Sequence, residues 1–235
     1  MASEIVMLNS FGLLKISGLD AKKFLQGQLT CHLDDVDAKG SQLSALCQPQ
    51  GRVIALFYIF KDADDYYLLL PQSMLAMTQT ALKKYAVFFK TTLTDASDNF
   101  ILIGVKSDAT LDSTHAISIP ISEGRAIWVR PITAGNLVET ATLSELDWHL
   151  ANIFAGIPTI HPETSGKFLP HDLNLHLLNA ISFNKGCYTG QEIIARMQYR
   201  GKLKNHLYHT IVTAPIAPTL GGDIYYLGSD GPRTA

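Results

Sequence analysis

The sequence predicts an α+β fold with mixed or antiparallel sheets, and three observations carry that prediction. Strand-like runs are numerous and fall in hairpin-like groups. Helical periodicity is confined to short separate stretches. No G-x-G-x-x-G or G-x-x-x-x-G-K-[ST] pattern occurs, so a doubly wound nucleotide-binding sheet does not fit. At 235 residues, 47% apolar and 17% charged, the chain can bury a core in one or two compact domains.

The elements follow in order. "FGLLKIS" reads as a strand. "GLDAKKFLQGQLT" reads as a short helix, with Asp20 as N-cap, Phe24, Leu25 and Gln28 at helical spacing, and Gly27 weakening its end. "SQLSALCQPQGRVIALFYIFKDADDYYLLLP" reads as three strands, with a turn at 49–51 and an acidic turn at 62–65. "SMLAMTQTALKKYAV" is helical, with Ser73 as cap and Leu75, Ala76, Thr80, Leu82 and Tyr85 as its apolar face. "VFFKTTLTDAS", "NFILIGVKS", "HAISIPIS" and "RAIWVRP" are β-branched and aromatic runs, hence strands. "TLSELDWHLANIFAGIP" is the clearest helix: Thr142 and Glu145 form a capping-box pattern, and Leu143, Leu146, Leu150, Ile153 and Phe154 line one face. "GQEIIARMQY" is helical, and "HLYHTIVTA" and "GGDIYYLGS" are strand candidates.

Charge is distributed unevenly. Residues 1–184 hold 13 Lys and Arg against 18 Asp and Glu, whereas residues 185–205 hold Lys185, Arg196, Arg200, Lys202 and Lys204 against Glu192. A basic spot on an acidic chain suits an anionic ligand. There is no basic stripe or RNA-binding motif, so direct nucleic-acid binding is not expected. Cys31, Cys47 and Cys187 are odd in number and far apart, which argues against a disulfide scaffold and a zinc site. His32 beside Cys31 does not change this, because no second ligand pair has suitable spacing; the expectation is no metal. The N-terminus has no signal-peptide pattern, and no apolar run is long enough for a membrane helix. A cytoplasmic protein is expected.

The stretch "KGCYTGQEIIARMQYRGK", residues 185–202, concentrates chemistry. Gly186 and Gly190 permit a sharp turn. Gln191 and Glu192 open a helix whose free N–H groups face the turn. A thiol there, beside Lys185, has its thiolate favoured. It could attack an electrophile, exchange disulfides or bind a soft metal, or be only a small buried side chain. Arg196 and Arg200 are four apart and, with Lys202, could hold a carboxylate or phosphate, or form a solvated face.

The pattern K-G-C-Y-x-G-Q-E, met by Lys185, Gly186, Cys187, Tyr188, Gly190, Gln191 and Glu192, resembles the signature of the YgfZ-type folate-binding proteins, relatives of the glycine-cleavage T-protein. "GLDAKKFLQGQLT", "PQGRVIALF" and "AGIPTIHPETSGKFLPHDLNL" resemble other parts of that family. The resemblance implies two interwoven α+β parts and a C-terminal β-barrel around a channel that holds tetrahydrofolate. The corresponding division is residues 1–45 with 142–204, then 46–141, then 205–235 as a shortened barrel. A chain short of barrel strands could borrow them from a second copy, so a homodimer is an expectation.

The implied role is maintenance of iron–sulfur clusters, including those of tRNA-modifying enzymes, with iron–sulfur enzymes and assembly proteins as partners. Cys187 would be the functional thiol. Lys185, Tyr188, Gln191, Glu192, Arg196, Arg200 and Lys202 would bind the folate, with Phe24, Tyr188 and Trp128 as candidates for a pterin pocket. The alternative is a one-carbon transferase of aminomethyltransferase type, for which Asp34, Asp35 and Asp172 are the available acids. A third class is a binding module without chemistry.

Overall fold

In a computed structural model, residues 4–106, 116–122, 124–134, 141–213, 215–228 and 231–234 are described. Two antiparallel sheets form the body. The five-stranded sheet has the order β3 (Ser41–Cys47), β4 (Val53–Asp62), β5 (Asp65–Pro71), β2 (Phe11–Ser17), β6 (Thr92–Asp95). The four-stranded sheet has the order β1 (Ile5–Met7), β7 (Phe100–Lys106), β9 (Arg125–Pro131), β8 (Ile117–Ser122). The α+β class with antiparallel sheets is thus observed.

The larger sheet is covered on both faces, and the period-2 pleat sorts its apolar runs between two cores. Along β5, Tyr66, Leu68 and Leu70 enter one core while Tyr67 and Leu69 enter the other. The first core also takes helices α1 (Ala21–Gln26), α2 (Leu33–Lys39) and α3 (Gln72–Ala86), and the 160–194 segment. In the second, Leu13, Phe60, Tyr67 and Leu69 meet Leu102, Ile119, Ile127 and Val129 of the smaller sheet. Because β5 is buried on both sides, "YYLLL" shows no polar alternation.

Several local expectations are corrected. Helix α2 forms over a stretch for which no element is expected: His32 is its N-cap, its ring Nδ1 accepting from the Asp34 N–H at 3.1 Å. Asp20 does not cap α1; its carboxylate accepts from the Lys90 N–H at 2.8 Å. Helix α3 starts at Gln72 behind Pro71, without a Ser73 cap. No strand forms over 205–213; the last strands are β10 (Tyr225–Gly228) and β11 (Gly231–Thr234), an antiparallel pair.

Helix α4 (Glu145–Phe154) differs most from expectation. Its capping box is Ser144 with Asp147, not Thr142 with Glu145. Thr142 instead accepts from the Ile5 N–H, and Glu145 from Ser10. Its buried residues are Trp148 and Asn152, while Leu146, Leu150, Ile153 and Phe154 are exposed. A Cβ on Gly104 would lie 2.7 Å from the Trp148 ring, so the bare glycine makes the seat for the indole. The Arg125 guanidinium lies 4.9 Å from the Trp148 ring centroid and donates to Asn152 Oδ1 at 3.0 Å. These contacts choose the buried face over the leucine stripe.

Candidate functional site

The 185–192 turn lies between two other loops, and each contact has a physical reason. The first loop follows α1. Thr30 and Ser44 are buried hydroxyls, so they need partners. Thr30 Oγ1 donates to the Ala180 carbonyl at 2.7 Å and accepts from the Ala45 N–H at 2.9 Å. Ser44 Oγ accepts from the Cys31 N–H at 3.2 Å, and the Ser182 N–H donates to the Thr30 carbonyl at 2.8 Å. At the far side of the turn, the Thr189 N–H donates to the Gly27 carbonyl at 3.1 Å, and its hydroxyl donates to Gln28 Oε1 at 3.2 Å.

The second loop is the 48–51 turn between β3 and β4. Gly190 has φ 84°, a left-handed angle natural to glycine. A Cβ there would lie 2.6 Å from the Gln48 carbonyl oxygen. Gly51, at φ 77°, lies against Ile193 of α5 (Gln191–Arg200), where an added Cβ would come within 3.0 Å. Two glycines thus let the helix start press onto the turn. Gly186 is different: it is absent from the positive-φ glycines, and a Cβ would meet nothing within 4 Å. The expectation that both glycines of the signature serve the turn is corrected for Gly186.

Lys185 is only 8% exposed. Its Nζ donates to the carbonyls of Leu29 at 2.8 Å and Cys31 at 2.7 Å, and lies 5.0 Å from the Tyr188 ring centroid. Burial pulls its pKa down from 10.5 to about 8; the nearby Cys31 thiol works in the opposite direction. The two carbonyl acceptors also favour the charged form. Tyr188 is buried, its hydroxyl lacks a partner in the structure, and burial pushes its pKa up.

Cys187 is exposed, whereas Cys31 and Cys47 are buried. Burial raises the Cys31 thiol and pushes Cys47 up to about 12. Cys187 lines a shallow hollow of about 440 Å³ together with Pro49, Tyr85, Tyr188, Thr189, Gly190, Gln191 and Glu192.

Of the residues singled out in the sequence, Cys187, Tyr188, Gln191 and Glu192 are therefore gathered at one hollow. Arg196 and Arg200 are exposed on α5 and Lys202 is exposed beyond it; none lines the hollow or makes an ion pair among the described residues. Lys185 points inward. Phe24 is in the first core against Phe89, and Trp128 packs on the smaller sheet near Ile5, Ile103 and Val105. These two rings and Tyr188 do not share a pocket. Among the described residues, no group of three His, Cys, Asp or Glu side chains could hold a metal ion.

Pro49 is legible in the sequence only as a turn residue and Tyr85 only as a helix-face residue, and nothing local marks either as lining the hollow. Sequence reasoning missed His171, buried beside His176 with ring centroids 5.0 Å apart, whose Nε2 lies 3.1 Å from Gln198 Oε1 of α5.

No family model matches the chain. Individual relatives do. A protein of Haemophilus influenzae described as uncharacterized is 35% identical over 224 residues, covering 94% of this chain and 78% of its own length. The tRNA-modifying protein YgfZ of Klebsiella pneumoniae is 32% identical over 246 residues, covering 94% of this chain and 75% of its own length. The tRNA-modifying protein YgfZ of Colwellia psychrerythraea is 33% identical over 227 residues, covering 87% and 70%. The chain belongs to the YgfZ family. Among solved structures, the glycine cleavage system aminomethyltransferase T of Bartonella henselae superposes with a TM-score of 0.67 at 15% identity, covering 85% of this chain and 64% of its own. That likeness is one of fold. This YgfZ-family chain thus shares the fold of the T-protein, with the K-G-C-Y-x-G-Q-E turn wedged between its 27–31 and 48–51 loops. No helix among the described residues is long and apolar enough to cross a membrane.

Proposed function

We propose that this YgfZ-family chain is a folate-binding accessory protein that maintains iron–sulfur clusters, including those of tRNA-modifying enzymes, and that it works through Cys187. The observation that carries this reading is the exposed Cys187 thiol at a hollow of about 440 Å³, while the other two cysteines are buried. The relatives' name, tRNA-modifying protein, supports the connection to tRNA.

The residues fit a tetrahydrofolate. The hollow falls within the ~300–1,000 Å³ range of small-molecule sites. Tyr85 and Tyr188 offer aromatic surface to a flat ring, and Gln191 and Glu192 offer donors and acceptors to its polar edge. Arg196, Arg200 and Lys202, exposed on and beyond α5, would hold the carboxylates of the glutamate tail. Tetrahydrofolate would supply a one-carbon unit or act as a regulator. The partners would be iron–sulfur enzymes and assembly proteins in the cytoplasm.

A one-carbon transferase needs a carboxylate held at the folate nitrogen. Asp34 is paired with Lys22 at 2.6 Å, Asp35 lies near Lys39, and Asp172 accepts from the Leu169 N–H. Glu192 is the acid lining the hollow among the described residues. An acid is thus at the hollow, and it is the exposed Cys187 thiol beside it that makes the accessory role the better reading.

Anaerobic calorimetric titration with tetrahydrofolate tests it. Saturable binding is expected for the wild type and Cys187→Ala, and weaker binding for Arg196→Ala with Arg200→Ala. Absence of binding in the wild type would refute the folate part of the proposal.

A further inference from the structure

We propose that Lys185 is a positioning residue for Cys187: it braces one foot of the arch on which the thiol stands, and it does not contact a ligand. One foot is the pair of Lys185 bonds to the Leu29 and Cys31 carbonyls. The other is Thr189, bonded to Gly27 and Gln28. Tyr188, packed in the first core beneath the Lys185 ammonium, ties the feet together. Between Lys185 and Tyr188 stand only Gly186 and Cys187, both exposed.

Among the described residues, no hydrogen bond to another part of the chain holds those two. A Cβ on Gly186 would meet nothing within 4 Å, so no neighbouring surface supports the backbone there. The position of the thiol is therefore inherited from its braced neighbours. The carbonyls that Lys185 caps belong to Leu29 and Cys31, both fully buried. Without the ammonium, these inward-facing oxygens lose a donor that solvent is poorly placed to replace, and the first loop keeps only the Thr189 foot as its hold on the turn. The same geometry removes Lys185 from the cations available to an anionic ligand, because its ammonium is committed inside.

The consequence for activity rests on the reading of Cys187 as the working thiol; the brace itself is tested without folate. The full-length chain and its Lys185→Met and Thr189→Val variants are compared by hydrogen exchange with mass spectrometry and by iodoacetamide alkylation of Cys187. Each variant is expected to exchange amides of 27–31 and 185–190 at least about tenfold faster, with β7 and β9 unchanged. The Cys187 alkylation rate is expected to change in both. Wild-type exchange and alkylation in Lys185→Met would overturn the proposal. So would uniform acceleration across all strands, which would make Lys185 a general stabiliser. If Lys185→Met does not fold, Thr189→Val carries the test: an unchanged alkylation rate there would show that the arch is not braced by its feet.

Discussion

Gly190 lies against Gly51: a Cβ on Gly190 would approach the Gly51 Cα to 3.0 Å and the Gln48 carbonyl oxygen to 2.6 Å. The signature turn and the 48–51 turn can meet only because neither residue has a side chain. Gly190→Ala should therefore cost about 2 kcal/mol or more, from left-handed strain and overpacking together. For a chain of this size that is a Tm loss of about 4–8 °C. Gly186→Ala, with open space and no positive φ, should stay within about 0.5 kcal/mol. Thermal unfolding of both variants checks the contrast; equal losses would contradict the packing described.

The cap of α4 gives a second test. Ser144 Oγ accepts from the Asp147 N–H at 3.2 Å, and the Asp147 carboxylate accepts from the Ser144 N–H at 3.0 Å. Ser144→Ala should cost about 1 kcal/mol, readable as a lower denaturant midpoint at unchanged slope.

The buried ammonium makes stability depend on pH in the alkaline range. The unfolded Lys185 keeps its proton up to about 10.5, while the folded one releases it near about 8. Between those values the unfolded state binds more protons, so stability rises with pH. Below about pH 8 both states are protonated and the cost of burying the charge is present in full. Denaturant midpoints taken from about pH 8 to about pH 10 should rise in the wild type relative to Lys185→Met, because the buried Cys31 and Cys47 thiols, whose raised pKa values draw stability down over the same range, are common to both proteins. Keeping below about pH 10 leaves tyrosines such as Tyr58 and Tyr188, whose pKa values burial raises, protonated.

Thiol counting tests the exposure pattern. One of the three cysteines should react promptly with a disulfide reagent in the native chain, and all three after denaturation. Peptide mapping should assign the prompt one to Cys187. Prompt labelling of Cys47 would contradict its burial.

The sequence made the larger sheet legible where apolar runs and turn residues coincide, as in β3 to β5 with their breaks at 49–51 and 62–65. The signature too was legible as a turn leading into a helix. Helix α2 was missed although its signs are local: His32 as cap, Asp34 and Asp35 in the first turn, Lys39 in the last and Gly40 at φ 86°. The face of α4 was not legible. Its leucine stripe has the right period, but Gly104 and Arg125, distant in sequence, decide that Trp148 is buried. Lys185 shows the same limit: composition counts a cation, and only the carbonyls of Leu29 and Cys31, more than 150 residues away, reveal that it is spent inside. Strand periodicity in "HLYHTIVTA" likewise produced no strand, because within the described residues no neighbouring strand pairs with it.

The most direct test of the central claim uses cells that lack their own YgfZ-family protein. Such cells would be supplied with this chain or with Cys187→Ala, and the tRNA nucleosides made by iron–sulfur enzymes would be quantified by mass spectrometry. The wild-type chain is expected to restore those nucleosides, and Cys187→Ala, folded to the same Tm, is expected not to. Full restoration by Cys187→Ala would contradict the claim, because the exposed thiol would then have no part in the work of the site.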